Sequence, residues 1–135
     1  MILVDTSVWI DHFRTGNKAL GNALTEGLVL MHSFVLGELA CGNLRNREKI
    51  LADLHTLPFA TEASHDEVMQ FVKEHKLWGS GMGWIDAHRL ASTLLSGCDF
   101  WTNCPAETGA CNQRFTGTEF AACIGLSARR ARRRL

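Results

Sequence analysis

The chain has 135 residues, 46% of them hydrophobic, and 14 Lys and Arg balance 14 Asp and Glu. That length supports one packed domain over residues 1–135 and is too short for two ordinary ones. No apolar run nears the ~20 residues that cross a bilayer, and the start lacks the basic-then-apolar pattern of a secretory leader, so a cytoplasmic protein is expected. Cys41, Cys98, Cys104, Cys111 and Cys123 are odd in number and include no CxxC pair, which disfavours a disulfide framework or a zinc knuckle. The neutral total hides an asymmetry: residues 1–103 carry 12 acids against 8 Lys and Arg, and residues 104–135 carry 2 against 6. Most of that excess is the closing ARRARRRL, which could draw RNA or an acidic partner, or could merely be solvated.

Met1 to Val4 read as a short buried strand. SVWIDHF follows as a helix that stops at RTGN, and Asn17 caps a second helix, KALGNALTEG. LVLM is a second apolar stretch. Ser33 starts a helix in FVLGELACGN, and Asn46 starts another in REKILADLHTL, where Ile50, Leu51 and Leu54 share a face. In SHDEVMQFVKEHKL, Ser64 and Glu67 form a capping box, and Val68, Phe71, Val72 and His75 fall at i, i+3, i+4, i+7. A glycine-rich turn, GSGMG, leads into the helix WIDAHRLASTLLSG, and CDFWT reads as a further strand. Short apolar strands alternating with helices predict an α/β sandwich, a parallel sheet with helices on both faces. Ligand sites in such folds lie at the carboxyl ends of the strands, where Asp5 falls.

Asp5 has two readings: it caps the helix beginning near Ser7, or its charge holds something. Two other acids sit in apolar or small-residue surroundings. Glu38 lies in FVLGELAC, on a helix face expected to be mostly buried, and Asp86 lies in the first turn of WIDAHRLA. If the three converge, their repulsion calls for a cation. All-oxygen donors suit Mg²⁺ or Mn²⁺ rather than zinc, and such an ion activates water for phosphodiester hydrolysis.

MILVDTSVWIDHFR, SFVLGELACGNLRNR and GMGWIDAHRLASTLLSGCDFWT, in that order over residues 1 to about 103, resemble three signature blocks of the PIN-domain ribonucleases, specifically the VapC-type toxins of toxin–antitoxin modules. The resemblance implies a PIN-like fold and a Mg²⁺- or Mn²⁺-dependent endoribonuclease acting on RNA, forming a homodimer and neutralised by a cognate antitoxin protein. It carries the catalytic and metal-ligand roles onto Asp5, Glu38 and Asp86, and Ser7 matches a small polar residue that shapes the metal site. The bound antitoxin is expected to place an arginine on the carboxylates.

One position departs from the family pattern. Where a fourth acid is expected after the strand ending WT, the chain reads WTNCP, which leaves Asn103 and Cys104 as candidate site-shaping residues. Asp99, near the start of that strand, is a poor substitute, because each residue advances about 3.3 Å. Residues 104–135 are atypical of the family's closing strand and helix and are expected to be partly disordered. A change of coding frame near residue 103 accounts for the break, ordinary divergence being the alternative. The loss of the fourth acid opens a second functional reading, a catalytically weakened PIN-domain protein that binds RNA or an antitoxin without efficient cleavage.

Other chemistries are less well founded. His12, His32, His55, His65, His75 and His88 form no motif for metal-independent imidazole catalysis and are expected mostly on helix surfaces or edges. GSGMG lacks the lysine of a phosphate loop. Of the tryptophans, Trp9 and Trp101 are expected in the core or at a dimer contact, and Trp84, beside Asp86, is the candidate substrate contact.

Overall fold

The structure, a computed structural model, describes residues 1–79, 81–104, 111–116 and 119. Ser80 of the glycine-rich turn and the closing arginine run lie outside the described residues. Ten elements follow in order: β1 (Ile2–Val4), α1 (Thr6–Thr15), α2 (Lys18–Thr25), β2 (Val29–Leu30), α3 (Ser33–Cys41), α4 (Arg47–His55), α5 (His65–Glu74), α6 (Trp84–Ser96), β3 (Asp99–Cys104) and β4 (Cys111–Thr116).

The strand order is β2-β1-β3-β4. β1 pairs in parallel with β2 (Leu3 opposite Leu30) and with β3 (Leu3 opposite Phe100, Val4 opposite Trp101). This is the PIN-like α/β sandwich with a short parallel sheet. Because strand side chains alternate between faces, β1 feeds two cores. Ile2 and Val4 join Val29, Met31 and Trp101 under α1 to α4, whereas Leu3 joins Leu30, Ala60, Cys98 and Phe100 on the opposite face. Helices α5 and α6 pack against each other through Val68, Phe71, Ala87, Leu90 and Ala91. Trp9 and Trp101 are both fully enclosed in the first core, as expected. No helix among the described residues is long and apolar enough to cross a membrane.

β4 is an addition to the expected sheet. It runs antiparallel to β3, from Asp99 opposite Thr116 to Cys104 opposite Cys111. Opposite Trp101 stands Arg114, whose guanidinium lies 4.5 Å from the ring centroid, a cation–π contact that fastens the edge strand to the core. At the other edge, Met31 exchanges two 2.8 Å hydrogen bonds with Pro58 and Ala60, which shields β2 from further pairing.

The helix starts follow the sequence. Ser64 and Glu67 form the full capping box on α5, and Asn17 Oδ1 accepts from Leu20 N–H on α2. α3 starts at Ser33, as expected, and His32 caps it: its Nδ1 accepts from Phe34 N–H at 3.1 Å. Asn46 does precede α4, but it sits at φ 51° and makes no side-chain cap. Asparagine tolerates that left-handed conformation better than other side-chain-bearing residues, so its role is the turn itself.

Candidate functional site

Asp5 follows β1 directly, and its N–H donates to Trp101 C=O at 2.8 Å, so it stands at the carboxyl end of β1, alongside the middle of β3. It holds the N-cap position of α1 but makes no side-chain cap. Its carboxylate is committed elsewhere. Oδ2 accepts from Ser7 Oγ at 2.7 Å and from Thr102 Oγ1 at 2.9 Å, and Oδ1 accepts from Arg89. Ser7 Oγ in turn accepts from Asn103 N–H at 3.2 Å, and the Asn103 side-chain amide lies 3.5 Å from Ser7 C=O. Ser7 and Asn103 thus hold the end of β3 against the first turn of α1, which fixes the Asp5 rotamer.

The other two acids arrive on separate helices. Glu38, on α3, accepts through Oε2 from Thr6 Oγ1 and from Arg89 Nη1, the latter at 3.2 Å. Asp86, in the first turn of α6, accepts through Oδ1 from Arg89 Nη2. Asp5, Glu38 and Asp86 therefore converge, as the sequence reading expected, but on an arginine of the same chain. Arg89 lies one helical turn after Asp86, and its guanidinium bridges all three carboxylates.

Burial differs sharply across the cluster. The side chains of Arg89 and Asp5 are 9% and 13% exposed, Glu38 and Asp86 39% and 53%. Asp5 and Arg89 form a floor, and the other two acids form an open mouth. The expectation that Glu38 lies on a mostly buried helix face is corrected: its neighbours Val35 and Leu39 enter the core, and Glu38 turns to the rim. Arg89 Nε is buried and has no hydrogen-bond partner among the described residues.

The donors fit a hard cation in chemistry, being carboxylate oxygens backed by hydroxyls, and three acids against one arginine leave an excess negative charge. In this arrangement, no three His, Cys, Asp or Glu side chains among the described residues form a ready cage for a metal ion. The carboxylates close on the guanidinium rather than on one another.

Arg89 and Thr102 were missed by the sequence reading; the sequence signal for Arg89 is its i, i+3 spacing from Asp86 on one helix, and the structure adds its burial. Residues 87–93 are buried without a break, so a long charged side chain at position 89 requires partners. Trp84 opens α6 at 39% exposure, its ring 4.9 Å from that of His65 and 4.7 Å from that of His88. Cys104 closes β3 at its carboxyl end, and Asp99 opens it, at the far end from the acids.

Two histidines depart from the surface positions expected of them. His32 and His88 are buried, and His32 Nε2 lies 3.0 Å from Ser92 Oγ, which also accepts from Ala63 N–H at 3.0 Å. Because Nδ1 already accepts from Phe34 N–H, the neutral ring carries its proton on Nε2 and donates it to Ser92. This joint ties the start of α3, which carries Glu38, to α6, which carries Asp86 and Arg89. Burial pushes the His32 imidazole below its ordinary proton affinity; Glu62 opposes that effect, and Arg89 and His88 add to it. Burial and His65 lower His88 as well.

A group that binds its proton more weakly when folded favours the unfolded state on acidification. Stability is therefore fully present above the ordinary imidazole range and falls as pH drops below about 6.5. Thermal unfolding midpoints are expected to decline between about pH 7.5 and about pH 5.5. His32→Asn keeps an acceptor for Phe34 N–H and should flatten that decline, leaving the portion due to His88. An unchanged slope in the variant would exclude His32 as its source.

No family model matches the chain, and no solved structure matches it. The chain is similar to curated proteins named ribonuclease VapC32 from two strains of Mycobacterium tuberculosis, each 40% identical over 115 residues, covering 82% of this chain and 90% of the relative. A matched stretch of that share takes in Glu38, Asp86, Arg89, Thr102 and Cys104 wherever it begins. With that identity over nearly the whole length of the relatives, and with the three acids gathered at the carboxyl end of β1 in an α/β sandwich, the chain belongs to the VapC family of PIN-domain ribonucleases.

Proposed function

We propose that the protein is the toxin endoribonuclease of a toxin–antitoxin pair, hydrolysing RNA phosphodiester bonds in the cytoplasm with Mg²⁺ or Mn²⁺ held by Asp5, Glu38 and Asp86. The observation that carries this reading is the convergence of three carboxylates, from Asp5, from α3 and from α6, at the carboxyl end of β1. The name of the relatives, ribonuclease VapC32, supports RNA as the substrate and an antitoxin as the partner. A homodimer belongs to the same proposal, and light scattering should then give twice the 15.0 kDa chain mass.

A hard divalent ion at such a site lowers the pKa of bound water and stabilises charge developing on the phosphodiester. The chain's own residues set the frame for that chemistry. Ser7 and Thr102 hold the Asp5 carboxylate, and Thr6 orients Glu38. Glu38 and Asp86 stand at the open rim, where an incoming strand can reach them. Trp84, exposed two residues before Asp86, offers a face on which a base can stack.

Labelled RNA incubated with the purified protein should be cut with Mn²⁺ present, spared with EDTA, and cut again when Mn²⁺ is restored. Cutting that survives EDTA would replace the metal centre with imidazole chemistry. RNA that is bound but not cut at any Mn²⁺ concentration would establish the weakened binder instead.

A further inference from the structure

The Arg89 guanidinium stands among the three acids and contacts each of them. Its Nη1 serves Asp5 Oδ1 and Glu38 Oε2, and its Nη2 serves Asp86 Oδ1, so one side chain satisfies carboxylates from three separate elements. A fixed structural arginine buried in a protein normally has its donors matched. Here Nε is buried and without a partner among the described residues, and the group is held by the three acids and by a longer contact of Nη1 to Thr6 Oγ1 at 3.4 Å. The Glu38 and Asp86 side chains are 39% and 53% exposed, so a hydrated ion can approach two of the three acids.

We propose that Arg89 is a built-in counter-ion that competes with the divalent metal for the same carboxylate oxygens, holding the acids together when the metal is absent and setting the metal concentration at which the centre loads. The inference rests on the metal-centre reading of the three acids. Its logic is that of any site whose binding-competent form is a minority: apparent affinity falls by the fraction of molecules in which the competitor has left. If Arg89 stays on the acids in about nine molecules in ten, removing it tightens metal binding about tenfold. Arg89 is a positioning residue in this scheme, acting through the carboxylates. It gives the toxin a resting state whose acidic cluster is neutralised in part without either metal or antitoxin. The arginine that the sequence reading expected an antitoxin to supply has a counterpart inside the chain.

The test is calorimetric titration of Mn²⁺ into the full-length wild type, Arg89→Met and Arg89→Lys, with thermal unfolding in EDTA alongside. Methionine keeps the apolar stem and removes the charge; lysine keeps a charge but cannot bridge three carboxylates. Arg89→Met should melt below the wild type in EDTA, bind Mn²⁺ at least about tenfold more tightly, and gain more in melting temperature from Mn²⁺. Arg89→Lys should fall between the two. Wild-type or weaker Mn²⁺ affinity in Arg89→Met overturns the competition while leaving the metal centre standing. Absence of Mn²⁺ binding in both the wild type and Arg89→Met overturns the metal centre, and the competition with it. A readout without mutation guards against a variant that fails to fold: the ¹⁵N-detected Arg89 guanidinium resonances of the wild type should move on titration with Mg²⁺, saturating at the Mg²⁺ affinity that the same calorimetry gives. Resonances that stay fixed while Mg²⁺ binds overturn the proposal.

Discussion

Asp5→Asn is expected to lower single-turnover RNA cleavage by on the order of a thousandfold, the equivalent of several kcal/mol of transition-state stabilisation, and to destabilise the fold at the same time. The second effect reverses what charge crowding among three acids predicts. Neutralising one of three unpaired carboxylates would relieve repulsion and raise stability, but these carboxylates are paired. Oδ1 of Asp5 accepts from Arg89, and Oδ2 accepts from Ser7 and Thr102. An asparagine has one acceptor oxygen: it can serve the hydroxyls or the guanidinium, and its NH₂ then faces the other. At 13% and 9% exposure this is a pair close to buried, and breaking such a pair is costly. Arg89 keeps Glu38 and Asp86, so the loss should be about 2 kcal/mol, lowering the melting temperature by roughly 5–10 °C.

Glu38→Gln and Asp86→Asn separate the two effects. Their side chains are 39% and 53% exposed, and exposed ion pairs contribute roughly 0–1 kcal/mol. They should lose cleavage much as Asp5→Asn does while melting near the wild type. Any of the three variants that cuts RNA within about tenfold of the wild type at saturating Mn²⁺ removes its residue from the centre.

The sites of agreement and disagreement between sequence and structure have physical reasons. β1 was legible because four apolar residues followed at once by an acid fit a buried strand meeting its edge; its register, Leu3 opposite Leu30 and Phe100, came from the structure. α5 was legible because its capping box and apolar spacing are local chemistry. The α3 cap was not, since His32 becomes a cap through its contact with Ser92, 60 residues away in sequence. β4 was not, because CNQRFT has no alternating apolar pattern; its docking is carried in part by Arg114 over Trp101 and by backbone pairing with β3.

Arg89 shows a different limit. Its sequence neighbours include His88, Ser92 and Thr93, so a charge among apolar neighbours does not single it out, and only the structure shows that it sits in seven consecutive buried residues. A search confined to carboxylates passes over the cation that balances them. Three buried or rim acids in a small domain imply a positive partner, and the first place to look is the chain itself.

Cys104→Asp is expected to lower the Mn²⁺ concentration for half-maximal cleavage by roughly 10- to 100-fold, the range over which groups surrounding a metal site shift its affinity. The effect requires residue 104 to stand at the end of its strand. It does: Cys104 is the last residue of β3, two positions on from Thr102, whose hydroxyl already reaches Asp5, and one on from Asn103, which holds Ser7. Sulfur is a poor donor for Mg²⁺ or Mn²⁺. A carboxylate at that register adds a hard oxygen and a further negative charge where Arg89 is the one cation now engaged with the acids among the described residues. It should therefore act twice, supplying a ligand or an outer partner for the ion and drawing the guanidinium toward the strand end and away from Glu38 and Asp86. The two routes come apart when Cys104→Asp is combined with Arg89→Met. If the introduced carboxylate works only as a donor to the metal, its gain persists in the Arg89→Met background; if it works by displacing Arg89, the gain disappears there, because the competitor has already gone. A metal titration in which Cys104→Asp overlays the parent would remove the end of β3 from the centre and leave the three-acid site with Arg89 as the whole of it.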